Sequence, residues 1–494
     1  MNPNPKIRFA IIASWTARST SILSFLLLLH VMFKFLNKEE LGIWFIIGQL
    51  GSFNNLLDFG FSAIVTRRIA ILSVDKILNK DELATIISTS KFVFRFLSIS
   101  TMFIFLLIGL LVIPIIHLQN TKITSVILSS VIVSVGYGIL TWNGLWSCLL
   151  IGMGWNGWDA LFQSVINILI VITQCIVLTW FHGGLVSLAI VSTAGSIGLR
   201  YIILNFLKGK ETILLSVNRP INIVVIRPLL LPAFKNWLTT LGAFFIFKTD
   251  QIFISTFCGV SQVPEYTAVQ QVYSCLYNGS VAFSASANPH VCRLWAEKRI
   301  HEVHKIFIKC SYYGLMVISF GSIIMLTSGN DLLYIWLGPG HAAPNLLLVI
   351  FSITWILEVN HVTVAVFSRA TDHEEYSMWS LAAGLLNILF CLLFIKRFGI
   401  IGVALSTCLA QLLTNNWYVV LHGFRKLSLP PISFISFVGA PMLLYLLLSL
   451  TLANVSKAVI SRISGSALGV PVSIFVTVMI TTIFILFKSK RPNN

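Results

Sequence analysis

The sequence predicts an all-α membrane protein of about 14 transmembrane helices, with two six-helix lobes from a parallel internal repeat and two extra C-terminal helices. Three observations predict it. Of 494 residues, 56% are hydrophobic and only 10% charged, where soluble domains are about a quarter charged. The apolar runs are continuous and about 20 residues long, as spanning helices require, not the roughly 10-residue alternating strands of outer-membrane barrels. Finally, the chain matches itself at an offset of 222 residues. Trp15 falls on Trp237, Gln49 on Gln271, Ser52 on Ser274, and Phe61-Ser62-Ala63 on Phe283-Ser284-Ala285.

The first span, 11–35, follows directly on "MNPNPKIRF". No small-residue cleavage site follows a short apolar stretch, so it reads as a retained helix and not a signal peptide. The second, 41–66, stops on Arg67-Arg68. Spans 84–113, 124–150, 160–181 and 184–206 complete an N-terminal lobe, 1–206. Trp142, Trp146, Trp155 and Trp158 flank the turn between the fourth and fifth spans as an interfacial aromatic belt. A basic cytoplasmic linker follows, 207–228. The C-terminal lobe, 229–424, holds spans 233–257, 264–290, 306–327, 344–367, 378–395 and 400–421. Two further spans, 433–453 and 465–487, and a cytoplasmic tail make up 425–494. Six spans per lobe is an even number, so both lobes start on the same side. Repeats of that kind are related by an axis along the membrane normal, and substrate sites lie at the repeat interface.

The net charge of +17 follows from topology. With the N-terminus in the cytoplasm, about 21 of the 34 Lys and Arg lie on cytoplasmic segments, among them Arg67, Arg68, Lys208, Lys210, Lys298 and Lys488. Both termini are then cytoplasmic, and no nucleic-acid partner is needed. The eight cysteines are scattered without a CxxC pair and read as small buried side chains.

Charges inside the spans need a reason, because one at a helix centre costs about 2.5–3.5 kcal/mol on insertion scales. At 100° per residue, Asn54, Asn55, Asp58 and Ser62 share an arc of the second span. Arg18 shares a face with Ser14 and Ser21. Lys91 and Arg95 share one with Ser88 and Ser98. The seventh span carries Lys235, Lys248 and Asp250, and the tenth carries Thr354, Glu358 and His361. Lipid solvates none of these, so they are expected to line a hydrated, protein-walled lumen. Arg18, Lys91, Arg95, Lys235 and Lys248 imply an anion site. Asn54, Asn55, Asp58, Asp250, Glu358 and His361 are lumen or ion-coupling candidates. Each has a structural alternative. Lys91 and Lys235 sit near cytoplasmic ends, where lysines snorkel. Asp58 is within reason a partner for Arg18 or Arg95, and Glu358–His361 a buried hydrogen bond.

Other motifs fail on context. "GMGWNG" (152–157) spells GxGxxG but lies between two membrane helices, with no strand before it. His301 and His304 in "EKRIHEVHK" lie in a basic cytoplasmic segment. There is no phosphate-binding loop and no GxSxG. No catalytic residue, cofactor or metal is expected, and the protein reads as a non-enzyme.

"LGIWFIIGQLGSFNNLLDFGFSAIVTRRIA" (41–70) resembles the second helix of polysaccharide and O-antigen flippases of the Wzx type. "KTDQIFISTFCGVSQVPEYTAVQQVY" (248–273) and "LLYIWLGPGHAAPNLLLV" (332–349) are similar to their seventh and eighth helices and to their loop before the tenth. The likeness extends in outline over the whole chain. It is specific to the larger superfamily of multidrug, oligosaccharidyl-lipid and polysaccharide exporters, and the second-helix motif favours the polysaccharide branch. The resemblance implies a bacterial inner-membrane flippase that turns an undecaprenyl-diphosphate-linked glycan, an O-antigen or related repeat unit, to the outer leaflet by alternating access. It also implies membrane lipids as surroundings and a polysaccharide polymerase and chain-length regulator as possible partners. The basic faces agree with an anionic headgroup. A cation-coupled drug exporter of the same superfamily, a lipid II exporter and a non-transporting scaffold in polysaccharide assembly are the alternatives. A cationic drug wants carboxylates and aromatic rings, against which the basic faces argue.

Overall fold

The computed structural model describes residues 5–73, 80–112, 121–210, 227–369, 376–464 and 466–489. Among these the chain is helical and contains no strand. Eight helical stretches among the described residues are long and apolar enough to cross a membrane, and the protein is a multi-pass membrane protein. The chain divides into two compact units, Met1–Phe244 with Gly259–Pro264 and Phe245–Cys258 with Glu265–Asn494. The division falls inside the expected seventh span. Most of the basic linker, 211–226, lies outside the described residues.

The first unit is built from α1 (Pro5–Phe35), α2 (Lys38–Leu57), α3 (Phe61–Leu72), α4 (Lys80–Val112), α5 (Ile123–Gly152), α6 (Asn156–Trp180), α7 (Leu185–Lys210) and most of α8 (Arg227–Phe247). A capping box starts α2. Asn37 Oδ1 accepts from the Glu40 amide at 2.8 Å, and Glu40 Oε2 accepts from the Asn37 amide at 3.4 Å. α1 lies along α6, and α5 packs between α4 and α7. Ile69, Leu149, Leu150, Ile203 and Leu207 fill one core. Close approach requires small residues. At Gly42, a Cβ would stand 2.2 Å from the Val260 carbonyl oxygen.

The expected second span is not one helix. It breaks at Asp58-Phe59-Gly60, where Phe59 and Gly60 adopt φ of 48° and 72°. Glycine takes that left-handed conformation without a Cβ penalty, whereas Phe59 takes it under strain. Asp58 compensates by capping α3. Its carboxylate accepts from the Ser62 amide at 3.1 Å and from Ser62 Oγ at 2.8 Å, satisfying a donor that the new helix start leaves without a partner. Asp58→Ala should therefore cost about 1 kcal/mol of stability while Asp58→Asn keeps the cap. Thermal melting in detergent checks this, and equal midpoints for the two variants would refute the capping role.

The second unit begins with the last residues of α8 and continues through α9 (Asp250–Phe257), α10 (Val263–Ala296, from Glu265 onward), α11 (Ile300–Leu337), α12 (Asn345–Arg369), α13 (Ser377–Leu413), α14 (Asn415–Lys426), α15 (Pro431–Phe434), a π-turn (Ile435–Gly439), α16 (Ala440–Ser464) and α17 (Ser466–Ser489). α13 holds one expected span and the start of the next, with a kink at Gly399, whose φ is 56°. α11 is kinked at Ser328, whose hydroxyl meets Ser473 Oγ of α17 at 2.8 Å. Lys457 of α16 donates to the Thr327 carbonyl at 2.7 Å and to Asp331 at 2.5 Å. The C-terminal pair α16–α17 is thus held to α11 by polar contacts, the available glue where lipid supplies no hydrophobic drive between helices.

The seventh span is also broken, between Phe247 and Asp250. In the 222-residue register Lys248 and Asp250 fall on Leu26 and Leu28 of the unbroken α1, and Asp58 falls on Ser280 of the unbroken α10. Each half therefore carries its own break, and each break has a carboxylate beside it.

Candidate functional site

In the first unit two guanidinium groups meet one indole. The Arg200 head lies 3.9 Å from the ring centre of Trp142, and the Arg95 head lies 5.6 Å from it. Such contacts stabilise a cation on an aromatic face. The three helices that carry them are tied together locally. Asn143 Nδ2 of α5 donates to the Ser196 carbonyl of α7 at 3.0 Å, one turn before Arg200. Ser98 Oγ of α4, one turn after Arg95, donates to the Gly138 carbonyl of α5 at 2.7 Å. Among the described residues no carboxylate pairs with either arginine, and Arg200 Nη1 is buried without an acceptor. Like charges held together with no counter-ion leave electrostatic demand for an anion. Arg95 is exposed, and Lys91, one turn before it, is half-buried. The expected stripe on α4 therefore divides: Ser88 and Ser98 are buried, whereas Arg95 remains accessible.

Arg200 and Trp142 are absent from the sequence-predicted set. The cost argument applied to the other charges fits Arg200 equally, since it lies inside the sixth span. Trp142 reads from sequence only as part of an aromatic belt. The side chains of Arg18, Asn54, Asn55 and Lys235 lie outside the described residues.

The second unit holds a buried acidic site at its helix break. Asp250 is 2% exposed and receives the Tyr266 hydroxyl at 2.5 Å. Its other oxygen is buried without a hydrogen-bond partner. Lys248, two residues earlier, is exposed. Asn387 of α13 secures the broken end of α8. Its amide donates to the Phe245 carbonyl at 2.9 Å and the Ile246 carbonyl at 3.2 Å, and its Oδ1 accepts from Thr407 at 3.2 Å. These carbonyls belong to the last helical turn, which lacks intrahelical donors. Asp250, Gln270, Thr354, Trp355 and Thr407 line a small cavity. Asn387 does not stand out in sequence, because it is an isolated polar group in an apolar run, and nothing in the stretch around Tyr266 ties that residue to Asp250.

Glu358 and His361 come together as their i, i+3 spacing suggests. His361 Nδ1 lies 3.4 Å from Glu358 Oε2. Gln411 Nε2 donates to the same oxygen at 2.9 Å, and Asn415 Nδ2 donates to Gln411 Oε1 at 2.8 Å. Glu358 is 4% exposed.

No family model and no curated protein matches the sequence. Solved structures do match. The lipid II flippase MurJ, in an inward closed conformation, superposes with a TM-score of 0.70 at 17% identity, over 98% of this chain and 99% of that one. The chain has the fold of this solved flippase. A multidrug resistance MATE transporter in its inward-facing conformation gives a TM-score of 0.65 at 12% identity, covering 84% of this chain and 98% of that one. A MOP-superfamily transporter from Pyrococcus furiosus gives 0.59 at 14%, covering 85% and 95%. The all-α membrane fold class predicted from the sequence is thus found in solved transporters, and the flippase likeness extends over the whole length of both chains.

Proposed function

We propose that this protein is a flippase that moves an undecaprenyl-diphosphate-linked oligosaccharide from the cytoplasmic to the outer leaflet of the bacterial inner membrane. The observation that carries this reading is the Arg95–Trp142–Arg200 cluster, two cations that no carboxylate among the described residues pairs with, inside a membrane-spanning unit. Guanidinium forks suit phosphate oxygens. Lys91, and by sequence Arg18, Lys235 and Lys248, extend the basic character. Asn54, Asn55 and Asp58 contribute polar wall, and the hydroxyl and amide groups of the spans meet sugar.

Alternating access works by two lobes, 1–206 and 229–424, moving about the basic linker 207–228, with 425–494 as an added helix pair. Both termini are cytoplasmic. A potential that is negative inside favours outward movement of an anion by about 2.3 kcal/mol per charge per 100 mV. The likeness to solved transporters supports reading the protein as a transporter and not an enzyme. A polymerase and a chain-length regulator are the natural neighbours of such an activity.

A lipid II exporter is the second reading, supported by the full-length likeness to a lipid II flippase. It shares the diphosphate and differs in the sugar. A multidrug exporter fits less well, because a cationic drug is repelled by paired arginines.

Complementation separates the readings. The gene is expressed in an O-antigen-flippase-null strain, in a strain depleted of its lipid II flippase, and in a drug-hypersensitive strain. Restored surface polysaccharide supports the proposal, and rescued growth on lipid II flippase depletion supports the second reading. Drug resistance without either would overturn both.

A further inference from the structure

We infer that Arg95, Trp142 and Arg200 face the lipid, and that an anionic phospholipid of the cytoplasmic leaflet rests its phosphate on them until the substrate's diphosphate displaces it. This rests on the proposed transport of a lipid-linked diphosphate and adds a competing occupant of the same site.

The residues around the cluster show which way it faces. On α4, Phe92, Phe96, Ile99 and Phe103 are each more than half exposed. Arg95 belongs to the same row, one turn from Phe92 and one turn from Ile99. On α5, Val131 and Val135 are exposed, and Trp142 lies two turns further along that face. On α7, Ile197 and Tyr201 are exposed on either side of Arg200. α5 packs between α4 and α7, so the three rows are neighbours. A hydrated wall carries polar groups. Exposed aliphatic and aromatic rows on membrane helices meet hydrocarbon instead.

On the topology expected from the sequence, the cytoplasmic ends of these three spans lie at residues 84, 150 and 206. Arg200 is six residues, about 9 Å, inside its end, and Trp142 is eight residues, about 12 Å, inside its own. Arg95 is deeper, at eleven residues, but a helical side chain leans toward its helix start, here the cytoplasmic side. The cluster therefore stands in the cytoplasmic half of a hydrocarbon layer about 30 Å thick. Lys91, one turn nearer that side, is close enough for its charge to act on Arg95.

A guanidinium at this depth is costly. Snorkelling and local thinning of the bilayer relieve the cost by bringing headgroup phosphates to it. Phospholipid is the solvent of this face, and its phosphate is the anion that solvent supplies. The arginines act on each other's charge, and Arg200 Nη1 is buried without an acceptor. Phosphate oxygens provide acceptors that suit both guanidinium forks. An anionic phospholipid is favoured over a zwitterionic one, because its headgroup brings no cation to the paired arginines. The substrate's diphosphate offers more negative charge to the same forks and so displaces it. By mass action, a leaflet richer in anionic phospholipid holds the site more firmly.

Two measurements on the full-length protein test this. In the first, detergent-solubilised protein is titrated with phosphatidylglycerol and separately with phosphatidylcholine, and bound lipid is counted by native mass spectrometry. Arg95→Gln should weaken phosphatidylglycerol binding about tenfold, the loss of one charge-assisted contact, and leave phosphatidylcholine binding unchanged. Arg95 is exposed, so the substitution leaves packing intact. Equal phosphatidylglycerol binding by wild type and Arg95→Gln overturns the inference. In the second, phosphatidylcholine vesicles with rising fractions of phosphatidylglycerol contain fluorescent undecaprenyl diphosphate. The substrate level that half-saturates wild-type flipping should rise with phosphatidylglycerol, while the residual flipping of Arg95→Gln should not respond. A wild-type value indifferent to phosphatidylglycerol overturns the competition while the transport reading stands. Residual Arg95→Gln flipping that falls as steeply as the wild type's assigns the effect to surface charge and overturns the site. Phosphatidylglycerol binding that depends on Arg95, with no movement of the fluorescent lipid in any vesicle, overturns the transport reading instead.

Discussion

Replacing Arg95 or Arg200 by Ala is expected to cost about 2–4 kcal/mol of substrate interaction, since each removes a charge-assisted contact to the anion. That corresponds to roughly a 30- to 1000-fold loss of binding. The two are not additive, because they share Trp142 and repel each other. Removing one relieves the repulsion on the other, so the double variant should lose less than the sum. Arg→Lys at either position is expected to restore activity only in part, because the charge survives and the planar fork does not. Arg299→Ala is the control. Arg299 is exposed and already paired with Glu297 at 3.1 Å and with Glu302 at 2.5 Å, and exposed pairs contribute little. The measurement is surface polysaccharide in the flippase-null strain, with protein abundance determined in parallel. Wild-type polysaccharide from both Arg95→Ala and Arg200→Ala would make the cluster structural and remove the main support for an anionic substrate.

Tyr266→Phe is expected to be the most destabilising conservative change in the second unit. It deletes one hydroxyl, but that hydroxyl is the donor to a carboxylate that is 2% exposed. Leaving a buried acceptor without its donor costs about 1–3 kcal/mol, and more when the acceptor is charged. Asp250→Leu in the Tyr266→Phe background removes the stranded acceptor as well. The double variant should therefore be more stable than Tyr266→Phe alone, because replacing both partners by apolar groups is nearly neutral. Thermal unfolding in detergent of the two singles and the double closes the cycle. A double variant that melts below Tyr266→Phe would show that Asp250 is held by something other than this hydrogen bond. Asp250→Asn, which keeps an acceptor for Tyr266, serves to separate stability from ion coupling. A stable but inactive Asp250→Asn protein would point to a role for the charge itself.

The charged residues of the spans were legible as a group and not as sites. The cost of burying a charge picks out Arg95, Lys248, Asp58, Asp250 and Glu358 from any single-sequence reading, because it depends only on residue type and depth. What each one touches depends on neighbours far away in the chain. Asp58 lies on a polar arc if the second span is drawn as one helix. In the structure the helix breaks at that point and Asp58 caps the next one. The sequence contained the clue, since a Gly follows two residues later, but hydropathy alone carries straight across it. Glu358 and His361 were paired correctly by spacing, because i, i+3 neighbours on a helix meet irrespective of fold. Gln411, 53 residues away, could enter that network only by tertiary packing.

By itself the sequence determined that the chain spans a membrane many times, that its spans are helices, and on which side most of its basic loops are expected. These follow from residue type and run length, because in lipid every backbone polar group must be satisfied within its own segment. Tertiary structure alone decided that Arg200 joins Arg95 on Trp142, that Asn387 closes the broken end of α8, and that Tyr266 holds Asp250. The reason is geometric. Inside the bilayer the polar groups are few, so those that pair do so across helix interfaces, and which residues share an interface is set by packing between segments 16 to 142 residues apart.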